Sequence, residues 1–144
     1  MLCVNNYKQN YIDECRSKVD AQIFAYGVLI ATAKNQSASG ERLLDAAIKA
    51  FEPHFFNNLV LVLACFFIHR ARAIEKKDGN PLNELRMLCN SMMKNNIMSE
   101  DKTIKYDLAK SILKHSIGDK IQMNEVDFIC LSAAFFAEIE SKYL

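Results

Sequence analysis

The sequence predicts a mainly α protein. It reads as a single-domain bundle of about five helices around a central apolar helix at 59–75, with a small β-hairpin or extended arm near 103–123. Three observations carry this expectation. Four glycines and two prolines in 144 residues leave long stretches free of helix breakers. Apolar residues recur at steps of three and four through most of the chain. Ten apolar residues in a row, LVLVLACFFI at 59–68, are followed shortly by the charged and amide-rich EKKDGNPLNE at 75–84.

The first helix is expected at about 10–35, with Ile12, Cys15, Val19, Ile23, Tyr26 and Ile30 on one stripe. From Ala21 onward Phe24, Ala25, Val28 and Ala31 widen that stripe, so the second half should be the more buried. Residues 1–9 read as a flexible lead-in, and NQSASG at 35–40 as a polar loop. A short second helix, about 41–51, buries Leu44, Ala47, Ile48 and Phe51, after which Pro53 breaks it or starts the next. The third helix, about 54–77, is apolar on every face between Leu59 and Ile68. That pattern marks an element encircled by the other helices or covered on one side by a second subunit. The pair Asn57-Asn58 fits either the true start of this helix or a contact with a partner.

EKKDGNP then reads as stop, turn and start. Lys76 and Lys77 suit the carbonyl end of a helix, Gly79 a left-handed position, Asn80 an N-cap and Pro81 a first helical residue. The fourth helix, about 81–95, presents Leu82, Leu85, Leu88, Cys89 and Met92 on one side. Residues 97–123 are richer in isoleucine and less regular, and Gly118-Asp119 between ILKHSI and KIQM suggests a two-residue hairpin turn. Asn124 caps the last helix, whose buried stripe is Phe128, Leu131, Phe135 and Ile139.

Eighteen Lys and Arg nearly cancel seventeen Asp and Glu, so no bulk charge draws the chain to nucleic acid or to an anionic membrane. The longest apolar run is ten residues, about half of what crosses a bilayer. No secretory signal is expected at the N-terminus. Five cysteines form no C-x-x-C pair, and three of them sit inside apolar helical patterns as small core hydrophobes do; this indicates a reducing compartment, so a soluble, cytoplasmic protein is expected. The dinucleotide, P-loop, zincin, di-iron and nucleophile-elbow motifs are all missing, no cofactor is implied, and an enzyme is the less favoured reading.

Two clusters of chemistry-bearing residues stand out. His69, Arg72, Asn80, Asn83, Arg86 and Asn90 sit where helices three and four meet. Guanidinium forks and helix-start amides there suit a carboxylate or phosphate, whereas the alternative is a solvated polar face with Arg72 paired to Glu75. Cys65 and His69, four apart on the third helix, share one face, and Cys89 lies level with His69 if the chain reverses at Gly79. Such a trio would bind zinc or activate a thiolate, though two buried thiols and a histidine near a helix end are the simpler account. The function expected is therefore a helical binding or assembly module, acting as a homodimer or with a protein partner through helical faces. The alternative is a small enzyme or sensor that holds an anionic molecule between residues 54–77 and 81–95.

Overall fold

A computed structural model describes residues 3–37 and 42–144. Five helices are present among the described residues: α1 (Gln9–Gln36), α2 (Arg42–Phe66), α3 (Arg72–Glu75), α4 (Pro81–Met92) and α5 (Glu125–Tyr143). The α1 stripe buries Ile12, Cys15, Val19 and Tyr26. That of α5 buries Phe128, Leu131, Phe135 and Ile139, with Phe136 and Tyr143 beside them. Asn124 caps α5 by accepting from the Asp127 amide at 2.7 Å.

Helices two and three of the sequence reading are redrawn. One helix, α2, runs through Pro53, although an internal proline removes a hydrogen bond at a cost of about 3 kcal/mol. Aromatic packing across the proline offsets that cost: the Tyr26 ring meets Phe51, Phe55 and Phe56, and its hydroxyl donates to Glu52 at 3.2 Å. The helix then stops at Phe66, eleven residues earlier than the expected end at 77. Its last carbonyl accepts from the Tyr11 hydroxyl at 2.5 Å. Just beyond, Val4 pairs with the chain, its amide donating to His69 O and its carbonyl accepting from Ala71 N, both at 2.8 Å. Residues 3–8 are thus tied down in place of the expected flexible lead-in, and Tyr7 adds a bond from its amide to the Tyr143 carbonyl.

The central helix is also less enclosed than its composition suggests. Leu59, Val60 and Leu63 are buried against α1, α4 and α5, while Val62, Cys65 and Ile68 are exposed. The apolar run fills a core on three sides and leaves the fourth to solvent.

Of the β-hairpin or extended arm expected near 103–123, the hairpin is not formed. Residues 112 and 113 donate their amides to the buried Glu84 carboxylate at 2.8 and 3.0 Å, and the His115 carbonyl accepts from the Tyr106 hydroxyl at 2.6 Å. Side chains therefore occupy the backbone groups a hairpin would use. The stretch from Gly118 pairs instead with residues 96–98, just after α4. Met98 N donates to Asp119 O, Gly118 N to Met98 O and Ile121 N to Asn96 O, each at 2.8 Å. Asn57, mid-helix on α2, anchors the same stretch by bonding Ile121 O at 3.2 Å and Met123 N at 3.1 Å.

Candidate functional site

The corner between α3 and α4 is built by residues that satisfy one another. Asn80 caps α4 by accepting from the amides of Leu82 and Asn83, Pro81 takes the first helical position, and Gly79 adopts φ 88°. Asn83, fully buried, accepts from Gly79 N at 3.0 Å and donates to the Lys76 carbonyl at 3.0 Å. That donation holds Lys76 at φ 64°, a conformation costly for a residue with a side chain. Lys105 N then donates to Lys77 O at 3.0 Å, docking the irregular segment on the corner.

Beneath the corner lies an ion cluster. Glu75, 3% exposed, accepts from Arg70 Nε at 2.9 Å and also from Arg70 Nη2. Its other face takes Arg86, with Nη2 2.6 Å from each carboxylate oxygen. Arg70, 5% exposed, adds a bond to Phe67 O at 2.9 Å. Desolvating these charges is tolerable only because each is met by charge-assisted bonds. The predicted pairing of Arg72 with Glu75 is therefore replaced: Glu75 belongs to Arg70 and Arg86.

Of the six candidate ligand residues, Arg72, Asn83 and Arg86 line one cleft of about 220 Å³, together with Lys77, Thr103 and Asp101. Partial burial and then the nearby Arg86 charge press the Arg72 guanidinium pKa below its ordinary value. The other three lie elsewhere. His69 is exposed beside the Val4 pairing, Asn80 is consumed by capping and by its bonds to Glu75 O and Asp78, and Asn90 lies on a separate depression near Lys94 and Ser99. Lys77, Asp101 and Thr103 were missed. Nothing in their local spacing distinguishes them, because segments distant in sequence bring them together.

The Cys65, His69 and Cys89 arrangement does not assemble. With α2 ending at Phe66, residues 65 and 69 no longer share a helix face. Among the described residues no group of three His, Cys, Asp or Glu side chains is placed to hold a metal. Burial pushes the Cys89 thiol up to about 12, and Cys15 is raised by burial too, while Cys3, Cys65 and Cys130 are exposed. A disulfide reagent at about pH 8 should label those three in the folded protein, and Cys15 and Cys89 only after denaturation. Early labelling of Cys89, read by mass spectrometry, would contradict this packing.

The second feature is apolar. Tyr11 meets Phe66 and Phe67, and Tyr26 meets Glu52 and Phe55, so α1 and α2 run antiparallel in one register. The N-terminal end of α5 reaches that pair where Phe128 packs on Phe56. Beyond this level the α1–α2 pair continues alone, and none of its described residues in 27–36 or 42–51 is buried. This overturns the expectation that the second half of α1 is the more buried. Leu43 is 84% exposed and Phe24 74%, and Val28, Leu29 and Phe51 are also exposed. On α5, Val126 and Ile129 extend the surface, and Phe24, Val28 and Ile129 line an open groove with Gly27 between them.

No family model, curated protein or solved structure matches this chain.

Proposed function

We propose that the protein is an assembly module that pairs with a second copy of itself through the overhanging α1–α2 arm. The observation that carries this is the arm itself, two helices with apolar faces and, among the described residues, no third element to cover them. About ten residues of each helix make a strip roughly 15 Å long. Phe24, Val126 and Ile129 enlarge it toward the few hundred Å² of contiguous apolar surface that marks an interaction site. A second copy is the favoured occupant because two such arms, related by a twofold axis, complete a four-helix arrangement from identical faces. Near-neutral net charge puts no repulsion in the way. The five thiols, free among the described residues, suit a reducing compartment such as the cytoplasm.

Sedimentation velocity at about 100 μM should find a dimer, and replacing Val28 and Leu43 together by glutamate should yield a monomer of unchanged helical content. A wild-type monomer at that concentration would refute the proposal, and so would a double variant that dimerises as tightly as wild type.

A further inference from the structure

We infer that the cleft between α3, α4 and residues 101–104 binds a small dianionic oxyanion, a phosphate or the phosphoryl group of a small ester. The charges around it do not balance. Arg72, Lys77 and Arg86 line it with Glu75 and Asp101, Arg70 stands behind Glu75 as a fourth cation, and both carboxylates are already engaged. Glu75 is saturated by Arg70 and Arg86. Asp101 Oδ1 accepts from Thr103 N at 2.9 Å and from Thr103 Oγ1 at 2.6 Å, bonds that hold its carboxyl below the usual range. Among the described residues the Arg72 guanidinium and the Lys77 ammonium have no hydrogen-bonding or ion-pairing partner. Arg86 spends Nε and Nη2 on Glu75, which leaves Nη1 for a ligand.

The positive residue is therefore about two charges, on planar forks and an ammonium that suit phosphate oxygens. Arg86 is held rigid by its bidentate grip on Glu75, so little order is lost when a ligand arrives. At about 220 Å³ the space is smaller than the 300–1,000 Å³ or so typical of drug-sized ligands, which restricts the occupant to a small anion. The cleft lies near the C-terminal end of α5, where Lys142 Nζ reaches Glu75 O at 2.8 Å, whereas the arm begins at the other end of that helix. The two surfaces are some 28 Å apart along α5, so occupancy here does not depend on assembly.

Thermal denaturation of the full chain with about 10 mM inorganic phosphate, against chloride at equal ionic strength, should show a rise of about 3–5 °C. A parallel arm uses phosphoserine: an equal rise identifies free phosphate as sufficient, and a larger one points to the ester. The double substitution Arg72→Ala, Lys77→Ala removes neither a packed side chain nor an internal bond. It should leave the melting temperature in chloride unchanged and weaken phosphate binding at least about tenfold by calorimetry. No rise in phosphate over chloride would overturn the inference, as would an undiminished rise in the double variant.

Discussion

Replacing Glu75 by alanine is expected to destabilise the protein by about 3–5 kcal/mol, a large part of the 5–15 kcal/mol that usually separates folded from unfolded. Among the described residues the carboxylate is the only anion that reaches Arg70, whose side chain is enclosed near the base of the corner. Without it, the guanidinium stays buried and keeps only its bond to the Phe67 carbonyl. Arg86 suffers less, because its side chain sits at the cleft edge and can take up water. The urea midpoint should fall by about 2 M. Removing the buried charge together with its partner, as Arg70→Met with Glu75→Leu, should recover part of the loss, since the pair is neutralised as a unit. An alanine variant within about 0.5 kcal/mol of wild type would mean that Arg70 is not enclosed as its burial implies.

Gly79→Ala is the second large effect, about 3 kcal/mol or more. Two costs combine there. The residue adopts φ 88°, which a side chain resists, and an added Cβ would fall on the backbone carbonyl oxygen of Lys105. The segment carrying that carbonyl is held close, because the Lys105 amide is bonded to Lys77 O on the corner. Gly118 supplies the control. Its φ is 98°, yet nothing lies within 4 Å of an added Cβ, so Gly118→Ala should cost only about 1 kcal/mol. Equal costs at the two positions, measured by chemical denaturation, would show that the corner and the 101–107 segment are not packed together.

The corner was legible because its signals are local. A glycine, an asparagine and a proline in adjacent positions specify a left-handed residue, a cap and a first helical turn without reference to the rest of the chain. The cleft was legible only in part. Arg72, Asn83 and Arg86 were named from their nearness to the corner, and they do converge. Lys77 was assigned to a helix end, while Thr103 and Asp101 come from a segment with no periodic pattern. Arg70 does not line the cleft, because it is drawn inward by a carboxylate five residues later. The missing hairpin has the same origin: Glu84, at an ordinary helical spacing, captures amides 28 and 29 residues away.

The sequence alone determined which residues prefer burial, where α1, α4 and α5 begin, and the stripe that α5 turns inward. Spacing and capping chemistry act over one or two turns, and that information is complete within a short window. Only the tertiary structure decided that α2 ends at Phe66, that it continues through Pro53, and that the arm stands uncovered. Those outcomes depend on whether another part of the chain arrives to meet an apolar face or a backbone carbonyl. Val4, Tyr11 and Tyr26 arrive at α2 and the turn after it, and nothing described arrives at residues 27–36 or 42–51. An apolar stripe records the demand for a partner, and long-range packing settles where that demand is met.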